Sequence, residues 1–300
     1  MYVKEEILIT GYNGSLAKQL STTIDHSKYR IKYLTTQKSA CKDNIFYWDI
    51  STNYINPQAL ANTHHIIHIS GFSISNKWNA KNKKLMYDSR VKTSLLLYNR
   101  CIKMRINPKT FISISAMGYY GFKQNGLKTE NDKPHDDWLS KLCVDWEKMA
   151  DNFKKTGTRV CILRSSLIIN KNAEIIQKTN IGFNIGLGLI FGSGQQQFPW
   201  IHIKDMSRFI VFIIENKNIQ GVFNVASPEK ISHQDFIKKI KLIKYPNSIL
   251  LHVPEILLKL FIPKKKELIL NNIKLCVKKM KSTGFFWEYE TIERFVKNDL

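Results

Sequence analysis

Short β-branched runs alternate with longer stretches of helical spacing through the first half of the chain. Residues 7–10 (Ile-Leu-Ile-Thr) read as a buried strand, after which Leu16, Leu20 and Ile24 share one face of a helix. Further strands are predicted at 30–35, 45–48, 65–70, 110–115 and 159–163, with helical patterns at 85–104 and 139–153. Strand, helix and strand repeated in this order call for parallel pairing with right-handed crossovers. The expected fold is therefore α/β, a Rossmann-type doubly wound parallel sheet.

After residue 170 the rhythm changes. Gly182, Gly186, Gly188, Gly192 and Gly194 punctuate a loop-rich stretch that ends at Trp200-Ile201-His202. A helix at 204–215 and a strand at 222–225 follow, and the remainder is mixed and basic. The expected organisation is a dinucleotide-binding Rossmann lobe over 1–170, with 198–225 returning to it. Residues 171–197 and 226–300 then make a smaller C-terminal substrate lobe. At 43% apolar residues the chain can bury a sizeable core, which excludes wholesale disorder. Its longest apolar stretches are too short to insert in a membrane.

Charge changes the picture only modestly. The net charge of +22 admits either a solvated basic surface or a face for a polyanion. The basic residues are mostly Lys and are spread along the whole chain. The densest run is Lys264-Lys265-Lys266 with Lys274, Lys278, Lys279 and Lys281, and it has little aromatic interleaving for stacking bases. A nucleic-acid partner is the weaker reading. The five cysteines, Cys41, Cys101, Cys143, Cys161 and Cys276, stand apart with no metal-ligand spacing. With no leader pattern before the first strand, the expectation is a cytoplasmic protein without a metal, acting as a monomer or homodimer.

The chemistry concentrates at the first strand–turn–helix. In Ile7-Leu8-Ile9-Thr10-Gly11-Tyr12-Asn13-Gly14-Ser15-Leu16-Ala17, Gly11 suits a tight turn and Gly14 a close backbone approach to a pyrophosphate. Ala17 permits close helix–strand packing, and the N-terminus of the helix would face the phosphates. The second strand runs into Tyr33-Leu34-Thr35-Thr36-Gln37-Lys38 without the carboxylate that would read an NAD ribose. Thr35, Thr36 and Lys38 suit a 2′-phosphate better, which favours NADP over NAD. Asp49 ends the third strand, where it serves either the adenine amino group or a turn. Ile69, Ser70 and Gly71 end the fourth strand beside the expected groove.

These segments together resemble the extended, epimerase/dehydratase-type short-chain dehydrogenases. The likeness narrows to the "epimerase family protein" subgroup, sometimes labelled cell-division-inhibitor-like. Trp78 with Asp88-Ser89-Arg90-Val91-Lys92-Thr93 is similar to its R-W…S-R-x-x-T segment, with Lys77 in place of the arginine. Phe111-Ile112-Ser113-Ile114-Ser115-Ala116-Met117-Gly118-Tyr119-Tyr120-Gly121 resembles its F-I-S-x-S-A-x-G-Y-Y-G segment. Leu142-Cys143-Val144-Asp145-Trp146-Glu147, Arg159 through Arg164, Trp200 through Asp205, Asn224 with Pro228, and Gly284-Phe285 extend the likeness to the C-terminus. The resemblance implies an NADP-type cofactor touched near Thr35, Thr36, Ile69, Ser70 and Leu167. It departs at Ala17 for Gly, at Thr36 for Arg and at Ser166 for Gly.

Working members of the wider superfamily pair a Ser or Thr with a Tyr acid/base and a Lys four residues later. Ser115 is placed for the first role, but the other two positions hold Leu139 and Cys143. The chain's own Tyr-x-x-x-Lys, Tyr119 to Lys123, falls in a glycine-containing turn. Tyr119 or Tyr120 serves as a substitute acid or as aromatic packing. Trp78 and Arg90 border the nicotinamide side, where Arg90 makes either a salt bridge or an anionic-substrate contact. His202 supports the sheet edge or touches substrate, with Asp205 expected to cap the following helix.

Two functions follow from these residues, and the basic surface adds a third. The first is an epimerase/dehydratase-like oxidoreductase using NADP(H) on an unknown small molecule, with non-standard acid/base residues. The second is a non-catalytic dinucleotide sensor or scaffold. The third is a nucleic-acid binder using the basic surface.

Overall fold

The computed structural model describes residues 3–122, 125–257 and 271–300. They form two compact units. The first takes the described residues up to Tyr119 together with Trp138–Arg164 and Ser207–Phe223. The second takes the described residues of Tyr120–Asp137, Ser165–Met206 and Asn224–Leu300.

In chain order the strands and helices are β1 (Glu5–Thr10), α1 (Ser15–Thr23), β2 (Tyr29–Thr35), β3 (Ile45–Asp49), β4 (Tyr54–Ile55), α2 (Pro57–Leu60), β5 (Thr63–His68), α3 (Ala80–Tyr87), α4 (Thr93–Lys103), β6 (Thr110–Ala116), β7 (Asn125–Lys128), α5 (Trp138–Asp151), β8 (Arg159–Ser165), β9 (Leu167–Ile169), α6 (Glu174–Asn184), β10 (Leu187–Phe191), β11 (Trp200–His202), α7 (Ile203–Glu215), β12 (Gly221–Val225), α8 (His233–Lys244), β13 (Ile249–Val253), β14 (Asn272–Leu275), α9 (Lys278–Ser282) and α10 (Ile292–Asn298).

The central sheet has eight strands in the order β12-β8-β6-β5-β1-β2-β3-β4. β1 pairs in parallel with both β2 and β5, and β5 with β6. The chain thus moves outward from β1 through β2 and β3, then returns to lay β5 on the other side of β1. Such a reversal opens a crevice at the carboxyl ends of β1 and β5, where α/β sheets hold their ligands. Ile7, Leu8 and Ile9 are fully buried, as a central strand covered on both faces requires. One core cluster includes Leu8, Leu34, Ile66, Leu97, Phe111, Phe153 and Ile162. Arg159 binds α7 to the sheet, donating to the carbonyls of Ile213, Asn216 and Ile219 and to Thr110 Oγ1.

The long helix expected over 85–104 is divided. α3 begins earlier, capped by Asn79, whose side chain accepts from Asn82 N. A π-helical turn at Asp88–Lys92 then separates α3 from α4. Thr93 Oγ1 donates to the Ser89 carbonyl at 2.8 Å, a hydroxyl inserted at the i−4 position of the ladder, which bends helices.

The second unit is built on three two-stranded parallel pairs, β9 with β11, β10 with β13, and β7 with β14. Its core includes Ile169, Phe183, Trp200, Phe236, Ile240, Tyr289 and Phe295. α6 lies in the stretch that the glycines marked as loop. Asp205 sits inside the first turn of α7 rather than capping it, and its carboxylate accepts from the backbone N–H groups of Glu288 and Tyr289, both at 2.7 Å. Among the described residues no helix is long and apolar enough to cross a membrane.

Candidate functional site

The turn after β1 is shaped by Gly11. Its φ is +76°, and a Cβ there would lie 3.1 Å from Ser70 Cα at the end of β5. Any other residue would be strained at this φ and would push the two strand ends apart. Gly14 N donates to Gly11 O at 2.9 Å, closing the turn, and Gly14 is the N-cap of α1. Among the described residues no side chain caps α1, and no acidic residue stands in its first turn. The orphan N–H groups of Ser15, Leu16 and Ala17 and the positive end of the helix dipole therefore favour an anion.

The facing wall is the backbone from His68 to Phe72, held from two sides. On one side Thr10 Oγ1 accepts from Ile69 N and Ser70 N, each at 3.0 Å. With its acceptor sites so used, its hydroxyl donates to His68 Nδ1 at 3.1 Å. That assigns the imidazole proton to Nε2, which donates to Thr93 Oγ1 at 3.2 Å. Burial pushes the His68 imidazole down to about 4, with the nearby Arg90 charge adding to the effect. On the other side the π-helical turn grips Phe72. Ser89 Oγ accepts from Phe72 N at 2.8 Å, and Arg90 Nη1 donates to Phe72 O at 2.8 Å. Ser70 Oγ, between these supports, is buried and has no hydrogen-bond partner among the described residues.

At the end of β2 the side chains of Thr36, Gln37 and Lys38 are exposed. Asn13 Nδ2 reaches from the glycine turn to Gln37 Oε1 at 2.9 Å, and Thr35 Oγ1 accepts from Gln37 N. The Lys38 amine lies 5.0 Å above the Tyr47 ring. Asp49 is engaged in a local turn, its carboxylate accepting from Ser51 N and Ser51 Oγ at 2.8 and 2.7 Å. Gly11, Tyr12, Asn13, Gly14, Ser15, Leu16, Thr35, Thr36, Lys38, Asp49, Ile69, Ser70 and Gly71 all belong to the first unit. Leu167 belongs to the second, in β9, in register with Trp200.

The candidate catalytic residues are held in different ways. Ser115 Oγ donates to Glu147 Oε1 at 2.6 Å, and both residues are buried. Arg164 forks the same carboxylate, with Nε at 2.9 Å from Oε1 and Nη2 at 2.8 Å from Oε2. Its guanidinium also stacks 3.3 Å from the centroid of the half-buried Tyr119 ring. Tyr120 belongs to the second unit, where its buried phenol donates to Asn224 Oδ1 at 2.7 Å. Leu139 and Cys143 are buried against Gly118, and burial pushes the Cys143 thiol up to about 12, so neither carries out proton transfer near neutrality. Lys123 and Lys264-Lys265-Lys266 lie outside the described residues.

Arg90 makes no salt bridge among the described residues. Its Nη1 holds the carbonyls of Phe72 and Met86, and its guanidinium covers the Trp146 ring at 5.3 Å. Trp78 packs on Trp138 with ring centroids 5.7 Å apart. His202 stacks on Tyr289 at 3.7 Å and donates from Nε2 to Asp299 at 3.1 Å, its Nδ1 being taken by Lys204 N. Thr10, His68, Ser89, Thr93, Glu147 and Arg164 were given no individual role from sequence. The one available signal was Glu147, a carboxylate on the apolar face of α5.

The sequence pattern described as the NAD dependent epimerase/dehydratase family matches residues 7–226. An epimerase family protein of Staphylococcus haemolyticus is 27% identical over 297 residues, covering 96% of this chain and 97% of its own. One from Mycobacterium bovis is 26% identical over 234 residues, covering 77% and 76%. Among solved structures, a human epimerase family protein crystallised with NADPH has a TM-score of 0.85 at 20% identity over 98% of each chain. The UDP-glucuronic acid 4-epimerase of Bacillus cereus with NAD has a TM-score of 0.76 at 17% identity, covering 98% of this chain and 94% of that one. These structural likenesses support the Rossmann-like fold, and the family match extends over most of the chain. The chain belongs to the NAD dependent epimerase/dehydratase family.

Proposed function

We propose that this protein binds NADP(H) in the crevice between β1 and β5 and acts as an epimerase/dehydratase-type oxidoreductase on a small hydroxyl or carbonyl compound. The observation that carries the cofactor reading is the pairing of Gly11 with Ser70. Gly11 keeps the two strand ends in contact, and the Ser70 hydroxyl beside it is buried without a partner among the described residues. A buried hydroxyl without a bond is unfavourable by about 1–3 kcal/mol, which a cofactor hydroxyl or phosphate would relieve. The uncapped N-terminus of α1 suits the pyrophosphate, with Tyr12, Asn13, Ser15 and Leu16 around it. The choice of NADP rests on Thr35, Thr36 and Lys38, where no carboxylate would repel a 2′-phosphate. A nicotinamide dinucleotide supplies hydride transfer when bound.

For the chemistry, Tyr119 is the acid/base candidate, half-buried beyond the end of β6 with its ring stacked on the Arg164 guanidinium. Ser115 donates its proton to Glu147, so it offers a ligand only an acceptor, which suits a substrate hydroxyl. A second reading, a dinucleotide-binding protein without turnover, is favoured by the apolar burial of Leu139 and Cys143. Thermal unfolding with NADPH, NADP, NADH and NAD tests the binding. A nucleotide at 100 times its dissociation constant adds about 2.7 kcal/mol, with the larger shift expected for the phosphorylated pair. No shift with any of the four, in protein extracted to be free of nucleotide, removes the reading. Turnover in a substrate screen that disappears in Tyr119→Phe separates the catalytic reading from the second.

A further inference from the structure

We infer that the π-helical turn at Asp88–Lys92 positions the dinucleotide site, with Ser89, Arg90 and Thr93 acting as determinants of cofactor affinity through the backbone of His68–Phe72. The inference rests on the cofactor reading above and adds to it residues that need not touch the cofactor. Positions i, i+3 and i+4 of a helix share one face, which puts Ser89 and Arg90 beside Thr93. Here three side chains within five residues bond to one short segment at the end of β5. Ser89 accepts from Phe72 N, Arg90 donates to Phe72 O, and Thr93 accepts from His68 Nε2. π-helical turns interrupting a helix recur at functional sites.

Thr10 completes the arrangement from β1, holding Ile69 N, Ser70 N and His68 Nδ1. His68 therefore links the two supports, accepting a hydrogen bond from Thr10 at Nδ1 and donating one to Thr93 from Nε2. Between them, Ile69 and Ser70 have their N–H groups engaged inside the protein, while the Ser70 hydroxyl has no bond among the described residues. A merely structural clamp would give no reason to leave that hydroxyl unpartnered. A preorganised binding wall does, because fixing the backbone in advance removes an ordering penalty from binding.

The test compares Thr93→Val, which keeps the shape and removes the hydroxyl, with Thr93→Ser, which keeps the hydroxyl. Ser89→Ala and Arg90→Lys are measured beside them. NADPH affinity is read by fluorescence titration well below each variant's unfolding temperature, and the unfolding midpoint without nucleotide is recorded separately. The expected result is roughly five- to tenfold weaker NADPH binding in Thr93→Val and Ser89→Ala, the loss of about one net hydrogen bond. Thr93→Ser is expected to stay within about twofold of wild type on the same reasoning. Faster amide exchange at Ile69, Ser70 and Phe72 is expected in the weakened variants, and Ser89→Ala supplies this readout should Thr93→Val not fold. Wild-type protein that binds NADPH while every folded variant binds it equally well overturns the inference and leaves the cofactor reading standing. Wild-type protein that binds no dinucleotide removes both.

Discussion

The guanidinium of Arg90 lies against Gly71, with Cζ 2.8 Å and Nη2 2.9 Å from the point that a Cβ would occupy. Gly71 is absent from any positive-φ position, so its role is space rather than backbone freedom. The missing side chain lets Arg90 pass beneath the loop after β5 and reach the carbonyls of Phe72 and Met86. Arg90, read from sequence as a salt bridge or a substrate contact, makes no salt bridge among the described residues and straps the backbone beside the proposed cofactor wall.

Gly71→Ala tests that relationship. The added methyl overlaps a guanidinium anchored at both carbonyls, so one of those bonds must lengthen. Overpacking of this kind costs about 1–3 kcal/mol. The expected outcome is a lower urea midpoint with an unchanged m-value, together with weaker NADPH binding. An Ala variant as stable as wild type would show that Arg90 has an alternative position of equal energy.

The Ser115–Glu147–Arg164 chain predicts unequal effects within one network. Glu147 and Arg164 are an ion pair at 2.8 Å with both side chains nearly inaccessible. Glu147→Ala leaves a buried guanidinium without its carboxylate and is expected to cost about 3–5 kcal/mol. Ser115→Ala removes one donor while Arg164 still serves the carboxylate, and about 1 kcal/mol is expected. Chemical denaturation of the two variants checks the ranking. Equal losses would mean that the Ser115 bond and the ion pair act as one unit.

The sheet was legible because its central strands are buried on both faces. Ile7, Leu8 and Ile9, or Ile66 and Ile67, have no polar side to confuse the pattern. The glycine turn was legible because strand, Gly11, Gly14 and helix are contiguous. The division of the helix at Asp88–Lys92 was not, since Ser89, Arg90 and Thr93 bond to residues 17 to 25 positions away, which no local pattern marks. α6 was hidden by the glycines around it. Ser115 and Glu147 are 32 residues apart, and no local period links them. Tyr119 and Tyr120 are adjacent in sequence, yet one ring stacks on Arg164 and the other phenol is buried on Asn224.

Four buried histidines, His65, His68, His202 and His233, make stability depend on pH, because burial lowers each imidazole from its ordinary range. Burial pushes His68 and His233 down to about 4, whereas both titrate near 6.5 when unfolded. Between these values the unfolded chain binds protons that the folded chain does not. Stability is therefore complete above pH 6.5 and falls as the pH drops toward 4. His68 and His233 each contribute on the order of 3 kcal/mol to that fall. Urea midpoints at pH 7, 5.5 and 4 are expected to decline steadily, and less steeply in His233→Leu, which lacks one of the contributing imidazoles. A flat profile in wild type would mean that the imidazoles are protonated in the folded state.

Cofactor choice should respond to a single carboxylate at the end of β2. Thr36 is exposed, one residue beyond Thr35, and Lys38 nearby is the cation available to a 2′-phosphate. In Thr36→Asp the new carboxylate can accept from a ribose 2′-hydroxyl and opposes a 2′-phosphate at close range. The position is at the surface, so folding stability should change by less than about 0.5 kcal/mol. The ratio of NADPH to NADH affinity is expected to fall at least about tenfold, equivalent to about 1.4 kcal/mol. Titration of both nucleotides against wild type and variant measures it. An unchanged ratio would place the adenosine ribose away from Thr36 and remove the basis for preferring NADP, while the Gly11–Ser70 crevice would still account for binding of either dinucleotide.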